Sequence, residues 1–249
     1  MKRFASIILT LAMILSLIVV AGTITTGAAS APKPSVSLYS CNPTFSKYGG
    51  TSYEVFIQTK NTSNDPKVYV HYRCYSDNDW TDTEAEYYTT MSDGSIIWRA
   101  NFASWSTKYC IKLVNNGKTY WDNNHGKDYT RENRIGSAPI FSNRLGYQYG
   151  GWTNFRIDAT LQNYAYHKTV FVRYTTNGWK SHHDVAMHYS ETNADKTETW
   201  TCELPTTFSY NSNINYDDFE YAICYRVNGK EYWANYFGDN FGYFYYIHQ

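Results

Sequence analysis

The segment Asn116-Gly117-Lys118-Thr119-Tyr120-Trp121-Asp122-Asn123-Asn124-His125-Gly126-Lys127-Asp128-Tyr129 decides how this chain folds. Asn-Gly between two alternating apolar runs is a hairpin signal, because both central turn positions require positive φ. The returning strand therefore starts near Lys118 and carries Tyr120 and Trp121. It then breaks into Asn and Asp, whose side chains compete with the backbone and stop a strand. Trp121 is thus expected at a strand end, at the surface, beside amide side chains.

A flat apolar ring next to amides makes a poor core and a good sugar platform. The ring covers the C–H face of a pyranose, and Asn offers a donor and an acceptor to neighbouring hydroxyls. The same pattern returns in Asn228-Gly229-Lys230-Glu231-Tyr232-Trp233-Ala234-Asn235, followed by Gly238, Asn240 and Phe241. Self-similarity at a period of roughly a hundred residues points to duplicated domains, not a short-repeat solenoid.

Composition agrees with an all-β chain. Aromatics make up 18% of the 249 residues, with 26 Tyr, 12 Phe and 8 Trp. No stretch sustains a helical period, and short alternating runs are separated by Gly, Asn and Asp, the pattern of β-sandwiches. Tyrosine is so abundant that many rings are expected at the surface. The 22 basic and 22 acidic residues balance without a basic block, which argues against nucleic acid or an anionic membrane as partner.

Residues 1–31 read as a signal peptide. Lys2 and Arg3 precede an apolar run from Ile7 to Val20, and Ala29-Ser30-Ala31 is a small-residue cleavage site. The run falls short of the roughly 20 residues of a membrane span, and no later run is long enough. A secreted chain, free of the membrane after cleavage and acting as a monomer, is expected. The cysteines number five, Cys41, Cys74, Cys110, Cys202 and Cys224, and do not recur between the repeats. Buried free thiols are at least as good a reading as bridges.

In chain order, strands are expected at Tyr53–Ile57, Val68–Tyr72, Ile96–Phe102 and Tyr109–Leu113, with a loop at Asn61–Pro66 and Trp80 after a polar turn. Residues 35–130 form the first domain. Thr130–Ala138 is a short polar boundary, and residues 138–247 form the second domain. That domain replays the order with Asn154–Ile157, Val170–Tyr174 and Phe219–Tyr225; Trp179 answers Trp80 and Trp200 answers Trp98.

Val170-Phe171-Val172-Arg173-Tyr174 with Trp179 downstream, and the Tyr-Trp-Asp-Asn-Asn stretch with its trailing Gly and aromatic, resemble carbohydrate-binding module family 21. The resemblance covers both copies. It implies an immunoglobulin-like β-sandwich in each, binding α-glucans of the starch or glycogen type without hydrolysing them and without a cofactor. It further implies a first site at Trp80, Trp121 and Asn123 in the first copy, and at Trp179, Trp233, Asn235 and Asn240 in the second. Asp128 stands where the second copy has Asn240. A further aromatic of that site falls by ungapped count on Cys110 and Ala222, while the neighbouring Tyr109 and Tyr221 are expected to face the core. The family's second site matches Asn163, Tyr166, Lys168, Tyr189 and Glu198. The first copy retains Asn61 and Tyr88 but has Asn64, Pro66 and Ile96 in the other places. Trp233-Ala234 departs from Trp-Asp, which puts the loop geometry of the second copy in question.

Trp98 and Trp200, mid-strand among apolar neighbours, are expected in the core. His182, His183, Asp184 and His188 lack a further ligand at metal-site spacing and read as a polar loop. No carboxylate pair recurs in both copies as glycoside hydrolysis would need, so no enzyme is expected. A separate amylase is a candidate partner. The alternative function is a secreted adhesin or protein-interaction module, which Tyr richness also fits.

Overall fold

A computed structural model describes residues 32–45, 51–74, 79–103, 106–142, 155–204 and 218–242. The leader read at residues 1–31 and the start of the strand expected at Asn154 lie outside the described residues. Among them there is no α-helix, and no helix is long and apolar enough to cross a membrane. From Lys33 onward the chain is one compact unit.

Its first half comprises β1 (Ser35–Phe45), β2 (Thr51–Lys60), β3 (Lys67–Cys74), β4 (Trp80–Glu84), β5 (Glu86–Thr90), β6 (Ile96–Ala103), β7 (Ser106–Asn115) and β8 (Lys118–Asp122). They pair as two antiparallel sheets, β1-β2-β6-β5 and β4-β3-β7-β8. The second half comprises β9 (Ile140–Ser142), β10 (Phe155–Leu161), β11 (Lys168–Thr175), β12 (His183–Ala186), β13 (His188–Thr192), β14 (Glu198–Leu204), β15 (Glu220–Val227), β16 (Lys230–Ala234) and β17 (Phe241–Gly242). Its sheets are β9-β10-β14-β13 and β12-β11-β15-β16, with β17 also on β15. The two halves share one strand order.

Alternation builds each sandwich. Val55 and Ile57 of β2, Val68 and Val70 of β3, and Ile111 and Leu113 of β7 point inward and are fully buried. Ile157, Ala159, Val172 and Ile223 do the same in the second half. Both Asn-Gly turns have the positive φ that the sequence demands: 50° and 73° at Asn116-Gly117, 52° and 71° at Asn228-Gly229. That geometry matches the right-handed twist of the flanking strands.

The outer face of the β1-β2-β6-β5 sheet is not solvated. Tyr39, Phe56 and Ile97 project from it into the core of the second half, against Phe141, Tyr236 and Phe241. The segment expected as a plain polar boundary runs along β1: Arg134 O accepts from Cys41 N–H at 2.8 Å, and Gly136 N–H donates to Tyr39 O at 3.0 Å. Ile135 and Ala138 are buried there. This seam, with the two cores, absorbs more tyrosine than composition suggested. Tyr39, Tyr53, Tyr109, Tyr129, Tyr174, Tyr221, Tyr225 and Tyr236 are buried, while Tyr87, Tyr164, Tyr166 and Tyr189 are exposed. All five cysteines are free thiols, and only Cys74 is not buried. Burial pushes the Cys41 thiol up to about 11 and the Cys202 thiol up to about 12, which leaves both unreactive at neutral pH.

Candidate functional site

Trp121 and Trp233 close β8 and β16, at 48% and 39% exposure, so neither indole is sealed inside. Each is followed by a loop of one design. In the first, the Asn123 carbonyl accepts from Gly126 N–H (3.0 Å) and Asp128 N–H (2.9 Å); in the second, the Asn235 carbonyl accepts from Gly238 N–H (3.0 Å) and Asn240 N–H (2.8 Å). The departure at Ala234 therefore does not change how the loop closes. Asp122, by contrast, is a staple: its carboxylate accepts from Leu38 N–H (2.7 Å), the Tyr129 hydroxyl (2.7 Å) and Asn124 N–H (3.3 Å).

In the second half the outer face of β15 presents Glu220, Ala222, Cys224 and Arg226 in alternation. Trp233 lies opposite Cys224 and meets the Phe171 ring edge-on at 5.7 Å across that small side chain. The Arg173 guanidinium sits 5.5 Å from the Trp233 ring and is held by a two-pronged bond to Asp184, both contacts 2.7 Å. Those bonds hold the Asp184 carboxyl below the usual carboxylate range. Trp179 occupies a turn at φ 60°, fixed by its N–H on the Thr175 hydroxyl at 3.0 Å. Its indole N–H donates to Glu220 Oε2 at 2.5 Å, and the Asn240 amide donates to the same oxygen at 2.8 Å. One carboxylate thus fixes two of the residues singled out from sequence, a role sequence reasoning missed. Glu220 and Cys224 are four residues apart, about 13 Å along a strand. The two indoles therefore flank a shallow floor over Ala222, where no aromatic stands.

The first half is built differently. Trp80 lies in β4, opposite Arg73, and not in a turn like Trp179. His71 stacks flat on it (4.8 Å between rings, 7° between planes) and meets Trp121 edge-on at 5.2 Å. Asp82 accepts from His71 and Lys112, each at 2.6 Å. Burial pushes the Asp82 carboxyl up, but those two hydrogen bonds outweigh it and hold it low. Asn123 is exposed, with its side-chain oxygen on Gly126 N–H at 3.0 Å. Cys110 and Ala222 do sit on the outer faces, and Tyr109 and Tyr221 are buried.

A separate cleft of about 1220 Å³ opens between the other sheet's rim and the β15–β16 hairpin. Asn163, Tyr166, Lys168, Tyr189 and Glu198 all line it, so the structure gathers every residue expected of the second site. Lys168 donates to Glu198 at 2.7 Å and to Asn163 at 2.6 Å, with only 3% and 9% of the two charged side chains exposed. Tyr166 is 91% exposed at the opening, its ring edge-on to His167 at 5.3 Å. Trp200, expected in the core, also lines the cleft. Its indole N–H reaches Glu198 Oε2 at 2.9 Å, and Tyr189 packs edge-on against it at 6.3 Å. Trp98 is likewise half-buried at its sheet's rim, with Tyr87 edge-on at 6.3 Å. Tyr87, not Tyr88, is therefore the counterpart of Tyr189. A bulge between Tyr87 and Thr89 sets which ring faces Trp98, and Tyr88 turns toward Phe56 and Phe237 instead.

Among the described residues no group of His, Cys, Asp and Glu is arranged to hold a metal ion, and His182, His183 and His188 are exposed. What these surfaces offer is ring faces, amides and a paired ammonium.

Residues 158–243 match the carbohydrate/starch-binding module, family 21. The match is to a binding module and not to a catalytic domain, and it spans Trp179, the cleft and the Trp233 loop. Protein phosphatase 1 regulatory subunit 3B of Danio rerio is 34% identical over 86 residues, 32% of this chain and 27% of the relative. Glycogen-binding subunit 76A of Drosophila melanogaster is 26% identical over 82 residues, 32% of this chain and 12% of the relative. The chain thus spans about a quarter or less of these relatives' lengths. Among solved structures, the starch-binding domain of Rhizopus oryzae glucoamylase, in complex with beta-cyclodextrin and maltoheptaose, is 29% identical, with a TM-score of 0.34 over 41% of this chain and 97% of that one. The matched segment carries two separate aromatic surfaces, the Trp179–Trp233 face and the cleft.

Proposed function

We propose that the chain is a secreted, non-catalytic binder of α-glucan polysaccharide, acting through two tandem family 21 modules with immunoglobulin-like topology, residues 35–130 and 138–247. The observation that carries this reading is the shared placement of Trp121 and Trp233, exposed at equivalent strand ends beside a loop closed by the same pair of backbone hydrogen bonds. In the second module Trp179, Trp233, Asn235 and Asn240 make one site, and Asn163, Tyr166, Lys168, Tyr189, Trp200 and Glu198 make another. The first module contributes Trp80, Trp121 and Asn123. Pro66 and Ile96 leave its Tyr87–Trp98 rim without the Lys–Glu pair.

Stacking on one glucose face is worth on the order of 1 kcal/mol per ring, and each amide hydrogen bond a net ~1 kcal/mol. A single site is therefore weak, and multiplicity supplies strength: two sites on one polymer raise avidity by ~10²-fold or more. The seam between the modules favours this by fixing the sites relative to one another. Trp121→Ala with Trp233→Ala disables two of the three sites and should weaken adsorption to starch granules at least ~10-fold while circular dichroism stays native. A folded double variant that adsorbs like wild type would end the proposal.

A separate amylase working on the same polymer is the partner a secreted binder suggests. The phosphatase-subunit relatives favour a second reading, in which a protein phosphatase takes that place. Co-sedimentation of either enzyme with glucan-bound chain decides between them.

A further inference from the structure

The second module's sugar loop contains an oddity that the first module's does not. Both loops run through the left-handed region at matching positions: Asn124 (51°), His125 (58°), Gly126 (86°) and Asp128 (59°) in one, Tyr236 (48°), Phe237 (60°), Gly238 (117°) and Asn240 (61°) in the other. Asn tolerates that region, whereas bulky aromatic residues are outliers there and need outside support. The first loop also has an internal staple in Asp122, with Tyr129 as its partner. The second has Ala234 and Phe241 in those places and can make no such bond.

Beside Phe141 and Phe241 of its own half, its support comes from the first module. Phe237 packs on Phe56 (4.8 Å), Tyr39 (5.3 Å) and Tyr88 (5.5 Å). Tyr236 stands edge-on to Phe56 at 5.7 Å, and its hydroxyl donates to buried Glu54 at 3.1 Å. The residues between Trp233 and Asn240 are thus anchored on the outer face of a sheet that belongs to the other module. We infer that Phe56, Tyr88 and Glu54 of the first module are positioning residues for the second module's Trp179–Trp233 site, holding the Asn235–Asn240 loop in its binding shape. This rests on the glucan reading of that loop, and its test separates the two.

The parent for the experiment is the full chain carrying Trp121→Ala and Tyr189→Ala, which leaves the Trp179–Trp233 face to take sugar. Maltoheptaose binding is measured by calorimetry, and loop order by amide exchange at Gly238 and Asn240. Phe56→Ala should weaken binding about tenfold and speed exchange at those two amides, while Gly126 and Asp128 in the first loop exchange as before. Adding Ala234→Asp, Tyr236→Asn, Phe237→His and Phe241→Tyr, which copies the self-sufficient loop with its staple, should restore affinity. Unchanged affinity and exchange in Phe56→Ala, or a loss that the copied loop does not rescue, overturns the inference. If Phe56→Ala speeds exchange in both loops, Phe56→Leu, which keeps the volume and loses the ring, makes the same comparison. A parent that binds no maltoheptaose sinks the glucan reading instead, and exchange alone then decides whether the first module orders the loop.

Discussion

Glu198→Ala is the substitution whose consequences the structure defines best. Glu198 Oε2 holds the Lys168 ammonium at 2.7 Å and the Trp200 indole N–H at 2.9 Å. The Lys168 side chain is 3% exposed, so the substitution strands a cation with Asn163 Oδ1 as its remaining partner. Breaking one side of a buried pair costs roughly 3–5 kcal/mol, because the survivor stays desolvated. Retention of Asn163 favours the lower end, about 3 kcal/mol, and at about 2–4 °C per kcal/mol the melting temperature should fall by roughly 6–12 °C. Removing the whole pair is different. Lys168→Met with Glu198→Leu replaces two charges by apolar groups of similar volume, which is near neutral or stabilising in such cases. Urea melts followed by circular dichroism should therefore place the double variant within about 1 kcal/mol of wild type, and well above Glu198→Ala. Both variants should lose sugar binding at the cleft. A Glu198→Ala loss under about 1 kcal/mol, or a double variant as unstable as the single, would show that the ammonium is not trapped as described.

Other outcomes are expected on the same grounds. Glu220→Ala releases the Trp179 indole and the Asn240 amide together, and should weaken maltoheptaose affinity at that face about tenfold, readable by tryptophan fluorescence. Gly136→Ala would set a Cβ 2.2 Å from the Leu38 carbonyl oxygen, forcing the connector off β1; a loss of roughly 1–3 kcal/mol in a urea melt is expected. The Ser95 hydroxyl and N–H, with Lys60, hold the Asp93 carboxyl down at about 2. Its folded pKa lies below its unfolded one, so this contribution is full above about pH 4 and lost as pH falls toward 2. Asp93→Asn should flatten that part of the acid unfolding curve and lower stability above about pH 4, where the wild-type carboxylate contributes in full.

Both hairpins were readable from Asn116-Gly117 and Asn228-Gly229, because a turn's φ demand is local. So was the exposure of Trp121 and Trp233, where Asn and Asp end a strand. The cleft residues were readable through family resemblance, since Asn163, Tyr166, Lys168, Tyr189 and Glu198 keep their spacing. Sequence spacing points to Tyr88 where the structure has Tyr87, because a bulge shifts facing by one residue, and bulges leave no reliable mark in sequence. Trp200 packs against the core as its strand alternation implies, but it also reaches the cleft, because alternation says which face a residue takes and not how close it lies to the sheet's rim.

The sequence by itself determined the all-β class, the strand sequence, and which rings end strands beside amides. These follow from backbone preference and alternation, which act over a few residues. Tertiary structure alone decided that Glu220 joins Trp179 to Asn240, that Lys168 meets Glu198 out of water, and that Phe56 underlies Phe237. Each of those pairings joins residues distant in sequence, and only the packing of sheets brings them together.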